Sequence, residues 1–224
     1  MKSSDFLRGR SGARIEMIES KVKKMLERDR REVDLAMAVL LGDLAPESAN
    51  DELRLTDRKV NAAERDIRRK LVVHTSVFGT IEIPCVLLYM SIVKDIERVG
   101  DYAKNLMDLA LDGVNLQNAP DLSDWKALST EISTFIGESS EAFNKRDADR
   151  ARTLMAQGDR LLKIFDGSVS ALVKGEDRDP SPVARALALR YLKRVVAHLV
   201  NVLTAVVMPL DRLDYFYENP RDRA

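Results

Sequence analysis

Apolar residues recur at steps of three and four along almost the whole chain of 224 residues. That period places them on one face of a helix, and few stretches show the strict alternation of a half-buried strand. Most of the seven prolines fall between the periodic segments, where they end or begin helices. The sequence therefore predicts an all-α protein built from six long helices.

Caps and breaks give the expected helix boundaries. Gly42 suits the position just past the first helix, and Pro84 and Pro182 suit the first turns of the third and sixth. Ser123 is the expected N-cap of the fourth helix. Residues 1–10 predict a mobile arm or short turn, and residues 74–80 predict a loop. The predicted helices cover about residues 13–41, 49–73, 84–113, 123–145, 147–174 and 182–207.

The order of these elements occurs twice: long helix, long helix, proline-started helix. An internal duplication of this kind indicates two copies of one helical unit. When the third and sixth helices are aligned, Arg98 falls on Arg194 and Asn105 on Asn201. The expected domains are residues 12–114 and 122–217.

The third predicted helix carries the most distinctive polar stripe. Glu97, Asp101 and Asn105 lie four apart, so their side chains stack one turn above another. Two carboxylates one turn apart repel each other, and either a bound metal or a nearby cation should offset that repulsion. The alternative is a solvated face on which Lys94, Arg98 and Lys104 pair with the acids.

The nine residues from 97 to 105, Glu-Arg-Val-Gly-Asp-Tyr-Ala-Lys-Asn, resemble the signature of the PhoU family, which regulates phosphate uptake. That resemblance implies two tandem three-helix bundles with pseudo-twofold symmetry. It also implies a regulator that restrains phosphate transport and phosphate-starvation signalling through protein contacts, without catalysing a reaction. The implied partners are the ATPase of a phosphate ABC transporter, a sensor histidine kinase, or both, and a second copy of the chain in a homodimer.

The resemblance further implies a metal site, with Glu97 and Asp101 as ligands. Asp57, Asn61 and Glu64 on the second helix are additional candidates placed by spacing alone. Oxygen ligands favour a hard or borderline cation, so iron, zinc or magnesium is expected.

Only the first copy keeps the acidic signature. Lys193 and Ala197 stand where the first copy has Glu97 and Asp101, although Asp159 corresponds to Asp57. The second copy is therefore expected to have lost its site, with the Lys193 charge replacing a metal ion.

Other functions receive less support. A carboxylate-bridged metalloenzyme of the helical-bundle type uses Glu-x-x-His pairs, and neither His74 nor His198 follows a glutamate at that spacing. His198 is expected to be a hydrogen-bonded core residue. A net charge of zero and 5% aromatic residues argue against nucleic-acid binding.

The N-terminus has no apolar signal segment, and polar residues interrupt the most apolar tract, so a cytoplasmic protein that reaches membranes only through partners is expected.

Overall fold

The described residues form six α-helices, as the sequence predicts. The computed structural model describes residues 3–79, 82–175 and 181–214, with side chains from residue 12 onward, and these ranges contain no strand. A short 3-10 turn follows the last helix. The helices are α1 (Ser3–Leu40), α2 (Pro46–Phe78), α3 (Ile83–Leu111), α4 (Leu122–Lys145), α5 (Ala148–Lys174) and α6 (Pro182–Val207), and the turn is Leu210–Arg212.

Local sequence signals set several of these boundaries. A proline lies at the first turn of α2, α3 and α6, where its missing N–H is no loss. Gly42 follows α1 with φ 78°, a left-handed conformation that favours glycine. The Asp147 side chain caps α5 by accepting a hydrogen bond from the Arg150 backbone N–H.

Three local predictions were wrong. Residues 3–10 belong to α1, because extending an existing helix needs no new nucleus. Residues 74–78 continue α2, where the His74 ring is fully buried and the Thr75 hydroxyl donates to the Leu71 carbonyl. The fourth helix begins at Leu122, so Ser123 is not its cap, and Thr80 of the predicted loop lies outside the described residues.

The helices pack as two triplets that share one apolar core. Helices α1, α2 and α3 pack against one another, and so do α4, α5 and α6. Across the middle, α3 lies against α6 and α1 against α4. Equivalent helices of the two triplets thus face each other, as a pseudo-twofold axis requires. The domain limits at 12–114 and 122–217 stay a prediction, and residues 215–217 lie outside the described ranges.

None of the described helices is both long enough and apolar enough to cross a lipid bilayer.

Candidate functional site

A group of carboxylates lies between α1, α2 and α3. Asp29 and Glu32 of α1 are completely buried, at 0% exposure. None of their four carboxylate oxygens makes a hydrogen bond within the described part of the chain. Asp57 of α2 and Glu97 of α3 are close enough to raise the pKa of Asp29, and Asp57 acts on Glu32 as well. We call Asp29, Glu32, Asp57, Glu97 and Asp101 the acidic groove.

Gly100 makes room for the two buried acids. A Cβ atom at this position would lie 3.0 Å from Glu32 Oε2 and 3.2 Å from Asp29 Oδ1. A side chain there would press on both carboxylates. The glycine in the middle of α3 therefore lets α1 bring its acids against the α3 backbone, despite a helix cost of about 1 kcal/mol relative to alanine.

Burial makes the ionised forms of these acids unfavourable. Loss of solvent raises the pKa of Glu32 to about 8, and the negative charge of Asp57 adds to the effect. Burial also raises the pKa of Asp29 well above its ordinary value, and repulsion from Glu32 raises that pKa further. The groove therefore gains from any positive charge placed within it, whether a proton, an ammonium group or a metal ion.

Two lysines supply positive charge at the rim of the groove. Lys104 Nζ lies 2.8 Å from Oδ1 of Asp57 and 2.8 Å from Oδ1 of Asp101. Lys94 Nζ lies 2.5 Å from Glu97 Oε2. Burial alone would lower the pKa of Lys104, but its hydrogen bonds to Asp101 and Asp57 raise it. These pairs match the lysine contacts expected for a solvated face, although the groove behind them is buried.

The two remaining predicted ligands join the groove to different degrees. Asn61 Nδ2 donates to Asp57 Oδ2 at 3.0 Å, so it belongs to the same polar network. The buried Glu64 carboxylate instead pairs with Arg68 at 3.1 Å.

A second polar cluster lies at the seam between α3 and α6. His198 Nδ1 lies 2.7 Å from Asp95 Oδ1, and Asn201 Nδ2 donates to the same oxygen at 2.9 Å. Arg194 Nη2 lies 3.1 Å from His198 Nε2, so Nε2 accepts and Nδ1 carries the proton. The prediction that His198 is a hydrogen-bonded core residue is confirmed. Asn201 thus makes a hydrogen bond between α6 and α3, whereas Asn105 bonds to no described residue.

The sequence and the fold of this chain are both similar to those of known proteins. The sequence model described as "PhoU domain" matches residues 22–110, which contain the whole acidic groove. A protein of Deinococcus radiodurans, named "Phosphate-specific transport system accessory protein PhoU homolog", is 30% identical over 193 residues. That match covers 81% of this chain and 87% of the relative. The chain belongs to the PhoU family.

Other PhoU proteins share the fold over nearly the same extent. A relative with the same description from Pseudomonas aeruginosa is 23% identical over 70% of this chain and 67% of its own length. The crystal structure of PhoU from Pseudomonas aeruginosa matches with a TM-score of 0.75 at 21% identity, covering 90% of this chain and 98% of that one. PhoU from Streptococcus pneumoniae matches with a TM-score of 0.69 at 15% identity, over 88% and 96%.

The second copy of the PhoU unit has an apolar core where the first has its acids. Buried positions of α1 fall on buried positions of α4 when Val22 is aligned with Trp125, and Asp29 and Glu32 then fall on Ile132 and Phe135. Val196 corresponds to Gly100. Phe135 and Val196 both lie within 4 Å of a Cβ built on Gly158 of α5. Apolar side chains therefore occupy the space of the equivalent groove.

Lys193 completes this replacement. It stands at the position of Glu97, and its ammonium group binds Asp166, the counterpart of Glu64. An ion pair thus joins α5 and α6 at this position. In the first copy both positions carry acids, and Glu97 pairs with Lys94 while Glu64 pairs with Arg68, each within its own helix.

The acidic groove contains side chains of the kind that bind metal ions, but their present positions do not form a coordination site. Its buried carboxylate oxygens without hydrogen-bond partners are suitable ligands for a hard cation. However, no three acidic, histidine or cysteine side chains among the described residues are already arranged to hold one. Lys104 occupies one oxygen of Asp57 and one of Asp101, so a metal ion would compete with that lysine for these two carboxylates.

Sequence reasoning missed the two most buried acids, Asp29 and Glu32. They sit in a strongly polar stretch, Arg-Asp-Arg-Arg-Glu, which reads as solvated surface. Their spacing gave a usable signal, because both continue the three-and-four steps between the buried residues Met25 and Ala36. Charged residues at core positions of a helix are rarely buried unless they are paired or serve a site.

Proposed function

We propose that this chain regulates phosphate transport as an accessory protein, restraining uptake and phosphate-starvation signalling through protein contacts rather than catalysis. The observation that supports this most is the relative from Deinococcus radiodurans, whose name describes an accessory protein of phosphate-specific transport and whose length is 87% covered. Two matching PhoU crystal structures show that the fold is shared as well.

The proposed partners are the ATPase of a phosphate ABC transporter, a sensor histidine kinase, or both, met in the cytoplasm by a homodimer of this chain. Each of these proteins works at the inner face of a membrane. A chain with no candidate membrane span among its described helices would reach that surface by binding them. A net charge of zero gives it no general attraction to anionic lipid or nucleic acid.

A strain lacking the gene tests this role. Deletion should raise phosphate uptake and switch on phosphate-starvation genes in phosphate-rich medium, and a plasmid copy should restore both. A pull-down from phosphate-rich cells should recover the transporter ATPase or the sensor kinase. Unchanged uptake and gene expression after deletion would contradict the proposal.

We also propose that the acidic groove binds a divalent metal ion, with iron, zinc and magnesium as candidates. Asp29 and Glu32 would hold it from α1, and Glu97 and Asp101 from α3. Asp57 would complete the ligands from α2, with Asn61 and Glu64 supporting it from the same helix. A bound dication would supply the positive charge that the buried carboxylates lack. The chain's own contribution is to keep these oxygens away from water and to withdraw Lys104.

A matched pair of variants tests the metal site. Asp57→Asn removes a groove carboxylate, whereas Asp159→Asn removes its counterpart in the second copy, which pairs with Lys163 at 2.8 Å. Metal titrations followed by calorimetry and by thermal unfolding should show a metal-dependent rise in Tm for wild type and Asp159→Asn. Asp57→Asn should lose most of that rise. Equal responses of the two variants, or no response of the wild type, would overturn the metal proposal.

A further inference from the structure

A polar basin lies beside the acidic groove and is lined by residues of α2 and α3. It has a volume of about 300 Å³ and is open to solvent, with Arg54 contributed by α2 and Arg98, Tyr102 and Asn105 by α3. Asp101 belongs to both the basin and the groove, and Lys104 at the rim of the groove also lines the basin, so the two share a boundary.

Several hydrogen-bond donors of the basin have no partner among the described residues, and the carboxylates of Asp101 and Asp108 line it as well. Arg98 is exposed and makes no hydrogen bond or ion pair with any residue that the structure describes. The Asn105 amide is likewise without a partner in those ranges. Tyr102 accepts a hydrogen bond from Arg194 Nε at 3.3 Å, which leaves its own O–H available to donate. Guanidinium, amide and phenol donors in one basin match a small oxyanion.

The remaining charges of the basin are already balanced. Arg54 pairs with Asp108 and also donates to Asn50 at 3.1 Å. Lys104 uses two of its three N–H groups on Asp57 and Asp101. In the metal-free protein, Arg98 is therefore the one basin cation without a partner among the described residues.

We propose that this basin binds a tetrahedral oxyanion of the phosphate class, and that Lys104 makes its binding tighter when the acidic groove holds a metal ion. Arg98 is the principal cation, with Tyr102 and Asn105 as neutral donors. The coupling rests on the metal binding proposed above. The basin itself does not.

Lys104 is the physical link between the two sites. A divalent cation held by Asp57 and Asp101 would repel the lysine's ammonium group and draw electron density from the oxygens that accept its two hydrogen bonds, so both bonds would weaken. The released ammonium group lies on the shared boundary and can turn into the basin. A phosphate dianion would then meet two cations, Arg98 and Lys104, instead of one. Phosphate and metal should consequently raise each other's affinity by the same factor.

Titration of the full-length protein with inorganic phosphate tests the basin. Calorimetry on chelator-treated protein, with chloride at equal ionic strength as the reference, should detect phosphate binding. Arg98→Ala should weaken it about tenfold or more, as loss of a charged hydrogen-bonding group does. Arg160→Ala is the matched control, since Arg160 is an exposed arginine of α5 away from the basin, and it should leave the affinity unchanged.

Sulfate and a phosphoserine peptide separate the sources of the anion. Competition by sulfate supports a site for a free tetrahedral oxyanion, whereas tight binding of the peptide together with weak binding of phosphate overturns that choice of ligand. Phosphate heats equal to those of chloride, or an unchanged affinity in Arg98→Ala, overturn the basin itself.

The coupling is measured in a second titration, with whichever of Mg²⁺, Zn²⁺ or Fe²⁺ the wild type binds. The metal-loaded protein should bind phosphate about tenfold more tightly than the metal-free protein, and Lys104→Met should abolish that difference while Arg160→Ala keeps it. Equal affinities with and without metal overturn the coupling. If no metal binds, the metal proposal fails and takes the coupling with it. The Arg98→Ala result on metal-free protein still decides the basin separately.

Discussion

Glu32 shows how a single buried group can make stability depend on pH. Its pKa is raised from the ordinary 4.5 to about 8, first by burial and then by the charge of Asp57. The folded protein therefore holds a proton that the unfolded chain releases at lower pH. The favourable contribution is complete below about pH 4.5 and is lost as pH rises toward 8, at roughly 1.4 kcal/mol per unit within that window.

Glu32→Gln should remove most of this dependence, because glutamine resembles the protonated acid and carries no charge. Urea unfolding of metal-free protein between pH 5 and 9 should show a flatter stability profile, with the variant more stable than wild type near pH 8.5. Glu16→Gln, at an exposed position of the same helix, should follow the wild-type profile. A variant that is less stable at every pH would show that the Glu32 carboxylate is favourable where it lies.

Asp95 is a second residue whose loss should be costly. Its carboxylate accepts hydrogen bonds from His198 and Asn201 across the seam. Asp95→Ala leaves both donors without this acceptor, and should destabilise the protein by about 1–3 kcal/mol or more. The measurement is urea unfolding, with Asp112→Ala at an exposed position as control.

Combining Asp95→Ala with His198→Ala checks the cause of that loss. The double variant should lose less stability than the sum of the two single changes, since the same bond is removed in each. Additive losses would show that His198 and Asp95 act independently.

Sequence alone predicted some of these residues and not others, for a physical reason. The acids Glu97 and Asp101 could be found because they lie in a recognisable string along one helix. Asp29 and Glu32 could not, because their burial depends on which face of α1 meets Gly100 of α3. Arg98 carried a predicted pairing role, but its lack of a described partner follows only from the positions of the neighbouring acids.

Helix packing decides the outcome of glycine substitutions along α5. A Cβ on Gly158 would lie 2.4 Å from Cγ2 of the buried Val200 and 3.3 Å from Phe135 Cζ. A Cβ on Gly167 would meet no atom within 4 Å. The two glycines thus share a helix and differ mainly in whether another helix approaches them.

Gly158→Ala should destabilise the protein by about 1–3 kcal/mol through overpacking, partly offset by about 1 kcal/mol of helix propensity. Gly167→Ala should stabilise it by up to about 1 kcal/mol. Chemical unfolding of both variants measures the difference. A Gly158→Ala protein as stable as Gly167→Ala would mean that α5 can shift away from α6 at little cost.

Element boundaries were predictable where a chemical signal marked them. Pro84, Pro182 and Asp147 gave the starts of three helices to within a residue. The cap of α4 was predicted wrongly, because Asp121 and not Ser123 is the residue at the N-cap position. The Asp121 side chain makes no capping hydrogen bond and pairs with Arg185 instead. That contact joins residues far apart in sequence, and local pattern carries no information about it.

The whole molecule is organised around the α3–α6 seam, so its most protected backbone should lie there. The middle of α3, at Val93, Ile96 and Val99, is completely buried, and so is α6 at Val195 and Val196. Amide hydrogen exchange followed by mass spectrometry should find the slowest peptides in these two segments, because opening them exposes the shared core. Slowest exchange in α2 or α5 would contradict this picture.

The duplicated architecture was visible in the sequence because both copies keep the same order of helices and the same proline starts. The way the copies join was not visible, since contacts between α1 and α4 involve residues about a hundred positions apart. Only the folded chain shows one core instead of two.

Because Ile132, Phe135 and Val196 fill one of the two equivalent grooves, the two copies present different surfaces to a ligand. A duplicated chain with two identical grooves could be approached from either end with the same result. Here, among the described residues, only the first copy offers a groove of buried carboxylates that lack hydrogen-bond partners. The two copies within a single chain are therefore not equivalent, because the first can bind a ligand that requires buried carboxylates and the second cannot. Any partner that recognises the acidic groove must bind the chain in one orientation.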